Sequence, residues 1–282
     1  MSGRNNSSPA GCTWVETRFG HGLVQGVPQE KARSAIEDWL SRAESGDGET
    51  VHQARNRVIK LAPGAAWPDG PEVAVKLFAR PAGLRLAQSV FRRSKTRKSF
   101  LAAMALAEHG VGTPPALATI ESRHWGILGA SSLVTVWRDG AAELRVVFRK
   151  QHPAWPDGPD ARFAAALGNF VRSVHDAGVI HRDLSDGNIL VRGGADAPAF
   201  LLIDLNRCRL VTRARSFARI RDAIRAGIPS HLQREFLSAC LGEPELSRQS
   251  WFVYRAMKGA FGLWLSVKRA LKLRQLARRM KL

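Results

Sequence analysis

Asp183 and Asn188 form the pattern with the clearest chemistry in this sequence. They stand five residues apart in His-Arg-Asp-Leu-Ser-Asp-Gly-Asn (181–188), a polar segment between two short apolar runs. A carboxylate held in such a loop can accept the proton of an attacking hydroxyl, and an amide oxygen can help to hold a metal ion bound to nucleotide phosphates. The spacing therefore predicts phosphoryl transfer, with Asp183 as the base and Asn188 as a metal ligand.

Asp204 and Lys76 supply the charges that such a reaction needs. Asp204 ends the apolar run Phe-Leu-Leu-Ile (200–203), 21 positions after Asp183, where a second metal ligand is expected. Lys76 interrupts the apolar run Val-Ala-Val-Lys-Leu-Phe (73–78). Desolvating an ammonium group is costly unless an anion meets it, so Lys76 is predicted to contact the phosphates of ATP.

Two parts of a nucleotide clamp are incomplete in the sequence. The region before the lysine has no G-x-G-x-x-G loop and reads Gln-Ala-Arg-Asn-Arg-Val (53–58). Arg55 and Asn56 are candidate ATP contacts there, and the alternative of solvated side chains in a strand stays open. The glutamate that usually pairs with the lysine is not assigned, with Glu108 and Glu121 as the two candidates.

The elements that position these residues change character along the chain. Strand patterns over 50–62, 73–78, 116–122 and 131–137, with helices over 28–42 and 94–109, predict a β-rich N-lobe. After a turn at Arg138-Asp-Gly140 the pattern becomes mostly helical, with a strong helix over 160–177 and a buried strand over 200–205. We predict an α+β, bilobal fold with loose order over residues 1–27, an ATP-binding N-lobe over 28–137 and a C-lobe over 138–282.

The composition of the chain favours anionic partners but does not identify one. The 43 Lys and Arg residues against 24 Asp and Glu give a formal net charge of +19, which attracts anions of any kind. Three scattered cysteines indicate neither a disulfide framework nor a zinc site. The N terminus has no signal-peptide pattern and no run of apolar residues is long enough to span a bilayer, so the expected location is cytoplasmic.

The same segments resemble the lipopolysaccharide kinase (Kdo/WaaP) family, a branch of the protein-kinase-like fold. The resemblance runs from about residue 50 to 210 and is most specific in the 181–188 loop and in Ile-Asp-Leu-Asn-Arg (203–207). It includes Ala-Arg-Asn (54–56), Val-Lys-Leu-Phe (75–78), Arg-Ser-Lys-Thr-Arg-Lys-Ser-Phe (93–100), Gly-Val-Gly-Thr-Pro (110–114) and Ala-Thr-Ile-Glu (118–121).

The resemblance implies a kinase that moves the γ-phosphate of ATP, with Mg²⁺, onto a hydroxyl of heptose or Kdo in the lipopolysaccharide inner core. It implies Lys76 as the ATP lysine, Asp183 as the base, and Asn188 and Asp204 as metal ligands. It also implies work at the cytoplasmic face of the inner membrane.

Basic segments in the C-lobe suit an acidic acceptor. Arg207 and Arg209 follow the metal-binding strand and are candidate contacts for the lipopolysaccharide core or another anionic glycolipid, with solvated side chains as the alternative. From Leu246 to Leu282 there are ten Lys or Arg residues and no acid. We expect the aromatic stripe over 251–265 to pack in the core and the basic end over 268–281 to make a peripheral membrane contact.

Three other functions remain open. One keeps the fold and changes the acceptor to a protein or another small molecule. Another is a catalytically dead pseudokinase scaffold that binds nucleotide, prompted by the incomplete clamp. The third is a nucleic-acid binder, prompted by the charge of +19, but no zinc-finger, RRM-type or basic-zipper pattern supports it, so no nucleic acid is expected.

Overall fold

The chain is described by a computed structural model over residues 9–90, 93–194 and 197–279, without the side chains of 84–85 and 272–279. It divides into two compact units. The first comprises the described residues up to Gly140 together with Leu202–Cys208, and the second comprises Ala141–Leu201 and the described residues from Arg209 onward. Residues 1–8, for which loose order was expected, lie outside the described part.

The chain contains twelve β-strands and eight α-helices over its described residues. The strands are β1 (Thr13–Thr17), β2 (Gly20–Val24), β3 (Glu49–Gln53), β4 (Arg57–Leu61), β5 (Val73–Phe78), β6 (Ala116–His124), β7 (Ile127–Val136), β8 (Ala142–Glu143), β9 (Val179–Ile180), β10 (Ile189–Arg192), β11 (Ala199–Leu202) and β12 (Arg209–Leu210). The helices are α1 (Ala32–Ser45), α2 (Leu84–Gln88), α3 (Lys95–Glu108), α4 (Leu144–Phe148), α5 (Ala161–Asp176), α6 (Ser216–Ala223), α7 (Gln233–Leu241) and α8 (Arg248–Arg279).

A seven-stranded antiparallel sheet forms the body of the first unit, in the order β1-β2-β6-β7-β5-β4-β3. Strands β1 and β2 lie within residues 1–27, so the expectation of loose order there is wrong for residues 13–17 and 20–24. The reason is long-range pairing, because β2 bonds along β6 and thereby buries Leu23 and Val24.

Helix α1 covers one face of this sheet. Ile36, Trp39 and Leu40 recur at helical spacing and are almost fully buried against sheet residues that include Ile59 and Val75. The helix ends at Gly46, whose φ of 84° gives the left-handed C-cap that a side chain would resist. The helix predicted over 28–42 is present and extends over Ala32–Ser45.

The second unit is mostly helical. Helix α5 is capped by Asp160, whose side chain accepts a hydrogen bond from the Phe163 amide, and the helix packs against α7. Short strands lie on either side of the 181–188 loop, since β9 pairs with β12 and β10 pairs with β8. The predicted change from a β-rich to a helical part of the chain is confirmed.

Helix α8 is long and largely solvent-exposed over its described side chains. Tyr254 is buried near its start, but Phe252, Leu263 and Trp264 are exposed, so the expectation that the 251–265 stripe packs in the core is wrong for these three residues. None of the helices in the described ranges has both the length and the apolarity needed to cross a membrane.

Candidate active site

Lys76 and Asp204 meet within the first unit. The Lys76 Nζ lies 2.5 Å from the Asp204 Oδ1, and both side chains are partly buried. Lys76 projects from β5, where an ammonium group has little water to solvate it, and the Asp204 carboxylate supplies the compensating charge. The structure therefore brings together the predicted phosphate-binding lysine and one of the two predicted metal ligands.

Asp204 sits on a tight turn rather than in a strand. Strand β11 ends at Leu202, so the predicted extent of 200–205 is too long at its C-terminal end. Asp204 has a φ of 57°, in the left-handed region, and a short 3-10 turn follows over Leu205–Arg207. The side-chain amide of Asn206 donates back to the Asp204 carboxylate. This bond and the ion pair to Lys76 fix the direction of the carboxylate.

Glu121 does not take the place of the missing glutamate. It is buried on β6 and accepts hydrogen bonds from Ser94, at the N-cap of α3, and from Thr96, at 3.3 Å in the latter case. Its second oxygen lies 3.0 Å from the Arg123 Nε. Glu121 thus ties the start of α3 to the sheet, while Lys76 forms its ion pair with Asp204.

The turn between β3 and β4 occupies the place of a glycine-rich loop. Arg55 is exposed at this turn, whereas Asn56 is half-buried and its Oδ1 accepts a bond of 3.3 Å from the Ala79 amide. Arg57 donates to the Ala43 carbonyl at the end of α1. Arg55 therefore keeps a solvent-facing cation at the turn, while the Asn56 oxygen anchors the turn to the end of β5.

The segment after β7 is held by a small network of charges. Asp139 accepts hydrogen bonds from the Trp137 Nε1 at 2.6 Å and from the Lys60 Nζ at 3.2 Å, and these two bonds, in that order, lower the pKa of Asp139. Hydrogen bonding to Glu72 and then to Asp139 raises the pKa of Lys60. The network fixes residues 137–139, where the sequence predicted a turn.

The 181–188 loop of the second unit is closed by its own hydrogen bonds. The Asn188 side-chain amide donates to the Asp183 carbonyl at 2.7 Å, and the Ser185 amide donates to the same carbonyl at 2.9 Å. Since the Asn188 nitrogen is engaged in this way, its amide oxygen is left as the metal-binding atom. The structure thus brings together the predicted base and the second predicted metal ligand.

Asp222, on α6, is a positioning residue for the 181–188 loop that the sequence did not reveal. Its buried carboxyl group accepts the backbone amides of His181 at 2.6 Å and Arg182 at 2.7 Å, and the His175 Nε2 lies at 3.4 Å. Arg182 has a φ of 65°, which is uncommon for a residue with a side chain. Asp222 holds the two residues before Asp183 in this conformation. In the sequence, Asp222 stands out only as an acid among basic residues, and it lies 40 residues after Arg182.

The two predicted acceptor-binding arginines are both exposed. Arg209 lies in β12 opposite Ile180, the residue directly before the 181–188 loop, so its backbone is fixed beside that loop within the second unit. Arg207 ends the 3-10 turn after Asp204 in the first unit.

Each unit offers one predicted oxygen donor of the kind that magnesium binds. Mg²⁺ prefers hard oxygen ligands, and the Asp204 carboxylate and the Asn188 amide oxygen are both of this kind. In the described part of the chain, no group of three or more His, Cys, Asp or Glu side chains is arranged to hold a metal ion. A magnesium ion at either residue would therefore need further oxygen ligands, and the phosphate oxygens of a nucleotide supply them in kinases.

Comparisons with known proteins bear on the family and the fold of this chain. The model of the lipopolysaccharide kinase (Kdo/WaaP) family matches residues 85–251, which is more than half of the chain. A solved structure described as WaaP in complex with acyl carrier protein is 20% identical, with a TM-score of 0.54 over 83% of this chain and 92% of that one. A search of curated proteins found no match.

The solved structure confirms the predicted protein-kinase-like fold, and the family match confirms the resemblance noted in the sequence. The chain belongs to the lipopolysaccharide kinase (Kdo/WaaP) family, whose members are phosphotransferases that act on hydroxyl groups of sugars.

Proposed function

We propose that this chain uses ATP and Mg²⁺ to phosphorylate a hydroxyl of an inner-core sugar of lipopolysaccharide, heptose or Kdo. The observation that carries the proposal is the Lys76–Asp204 ion pair, with its 2.5 Å separation. A lysine from a sheet strand and an acid 128 residues later are joined as the chemistry of a kinase requires. A solvated lysine and a solvated aspartate would not need to form an ion pair with side chains that are only 20% and 33% exposed.

Each proposed role follows from the chemistry of the side chain. Lys76 would neutralise the α- and β-phosphates of ATP, and Asp204 and Asn188 would hold the magnesium, which offsets the charge that develops on the phosphates. Asp183 would accept the proton of the acceptor hydroxyl while the hydroxyl oxygen bonds to the γ-phosphorus of ATP. The bond between the γ-phosphorus and the oxygen that bridges it to the β-phosphate would break, and ADP would be released. Arg55 would add a cation beside the phosphates, and Asn56 would hold the turn that carries it.

The acceptor would be recognised by charge. Arg209 is exposed beside the catalytic loop, and Arg207 is exposed after the metal-binding turn. Both can bind phosphate or carboxylate groups in a bidentate manner, and an acidic inner-core sugar offers such groups.

The proposed location is the cytoplasmic face of the inner membrane, reached through the basic helix α8. The exposed Phe252, Leu263 and Trp264 on this helix, together with its one-sided charge, suit the surface of an anionic membrane. An acyl carrier protein is proposed as a further partner, because the similar WaaP structure contains one. Co-purification of the two proteins would test this.

The decisive experiment compares two aspartate-to-asparagine variants. Transfer of labelled phosphate from ATP to dephosphorylated core lipopolysaccharide should fall by about 10²–10⁴-fold in Asp183→Asn, since the general base is lost. Asp157→Asn makes the same change at an exposed acid on the loop before α5 and should keep full activity. ATP binding with no transfer by the wild-type chain would support the scaffold function instead, and faster transfer to a generic protein would support a protein kinase.

A further inference from the structure

The turn between β6 and β7 presents a large apolar side chain to solvent. Trp125 is 87% exposed at this turn, and Ile127 beside it is 40% exposed. Leu86 on α2, which packs against β7, is 38% exposed. We call these three residues the hairpin patch. It belongs entirely to the first unit and contains none of the residues assigned to phosphoryl transfer.

The backbone at Trp125 is poorly suited to its side chain. His124 pairs with Ile127, so Trp125 and Gly126 form a two-residue turn, and their φ values of 51° and 78° are both left-handed. Such a turn favours asparagine, aspartate or glycine, and a bulky residue at its first position is disfavoured. Turn formation therefore does not explain the tryptophan. Strain of this kind points to a function for the side chain.

The turn is braced so that the patch behaves as one surface. The Arg123 Nη1 donates to the Gly126 carbonyl at 2.9 Å and to the Ser89 carbonyl, just after α2, at 3.1 Å. The Leu128 amide donates to the Ser89 hydroxyl at 3.1 Å. These bonds join α2 to the turn, so Leu86, Trp125 and Ile127 are presented together.

The chain around the hairpin patch is strongly basic. Residues 79–98, which include α2, contain seven Arg or Lys and no Asp or Glu. The acid on the adjoining strand, Glu121, is buried and already bonded to Arg123 and Ser94. The segment that carries α2 is therefore cationic in sequence and favours an anionic partner, and Glu121 is already engaged within the fold.

We propose that the hairpin patch inserts into the headgroup layer of an anionic lipid bilayer. Tryptophan, with its apolar ring and polar N–H, is the side chain that best suits the boundary between water and lipid. Arg and Lys near such a surface are attracted to anionic headgroups. A side chain exposed to 87% at a tight turn would need a deep pocket in a protein partner, whereas a bilayer accommodates it without one.

The test measures partitioning of the full chain onto vesicles of phosphatidylethanolamine and phosphatidylglycerol. Trp125→Asn should lower the partition coefficient by about ten-fold, because a large apolar side chain no longer enters the headgroup layer. Its melting temperature should stay the same or rise, since asparagine suits the left-handed turn. The matched control is Val51→Thr, which removes an exposed apolar side chain from β3, in a segment that carries Glu49 and no Arg or Lys over 49–53, and should leave partitioning unchanged.

Ile127→Thr provides a second variant that keeps a β-branched residue in the strand, and it should also weaken partitioning. Unchanged partitioning in both hairpin variants would overturn the proposal and would leave the patch to a protein partner. Equal binding of the wild-type chain to phosphatidylcholine vesicles would overturn its electrostatic part. Vesicle binding needs neither ATP nor acceptor, so Asp183→Asn should partition like the wild type, and failure of the kinase assignment would leave this result untouched.

Discussion

Replacement of Asp222 should destabilise the catalytic loop more than its distance in sequence suggests. Its carboxyl group accepts the amides of His181 and Arg182, and both contacts are buried or partly buried. Asp222→Ala leaves two donors without an acceptor, and each costs about 1–3 kcal/mol, so the free energy of unfolding should fall by about 2–6 kcal/mol. Asp222→Asn keeps one accepting oxygen and should cost about half as much.

The catalytic effect should separate from nucleotide affinity. The loop that loses its support carries Asp183, whereas Lys76 and Asp204 belong to the other unit. We therefore expect kcat to fall in Asp222→Asn by a larger factor than KM for ATP rises, because Lys76 and Asp204 are untouched and only Asn188 shares the loop. Urea unfolding and steady-state kinetics with core lipopolysaccharide measure the two effects.

Asp176→Ala is the matched control for Asp222→Ala. Asp176 is a half-exposed acid at the end of α5 that pairs with Arg219 and Arg172, and such pairs contribute about 0–1 kcal/mol. Equal losses of stability in the two alanine variants would refute the reasoning. So would a rise in KM for ATP with unchanged kcat in Asp222→Asn.

Two further predictions concern the packing of the second unit. Gly168→Ala, on α5, would place a Cβ against the Phe236 carbonyl oxygen and should lower the free energy of unfolding by about 1–3 kcal/mol. Gly259→Ala, on α8, would place a Cβ that meets nothing within 4 Å and should raise the free energy of unfolding by up to ~1 kcal/mol. Urea unfolding of both variants checks this. Burial raises the pKa of the Cys240 thiol from 9.0 to about 12, so the unfolded chain releases this proton at lower pH than the folded chain does. Stability should then fall by about 1.4 kcal/mol per pH unit as pH rises from about 9 to 12, and less steeply in Cys240→Ala; an equal slope would contradict the assignment.

The site was predictable where its pattern is local. Asp183 and Asn188 are separated by five residues within one loop, so their relation is visible in the sequence. The nearness of Lys76 and Asp204 was implied by their predicted roles at one nucleotide, because each residue interrupts or ends an apolar run, but their direct ion pair was not predicted. Their assigned roles in catalysis stay predictions until the variants are measured.

Long-range partners were not predictable. Asp222 bonds to amides about 40 residues earlier, and nothing in its own helix marks it as their acceptor. Strands β1 and β2 could not be predicted for the same reason. Strand β2 is short, contains two glycines and is held by pairing with β6, about 100 residues later. Several Arg and Lys residues could pair with Glu121 as far as the sequence shows, and only the fold identifies Arg123 as its partner.

The Asp204-Leu205-Asn206 turn has a consequence for inhibitor design. Protein kinases commonly carry Asp-Phe-Gly at this point, where glycine permits the backbone to rearrange. Here an asparagine replaces that glycine and its amide is bonded back to the acid, which is also paired with Lys76. Compounds whose affinity depends on swinging this acid outward would have to break both contacts. Nucleotide-mimicking compounds, which leave the turn in place, are therefore the better starting chemistry.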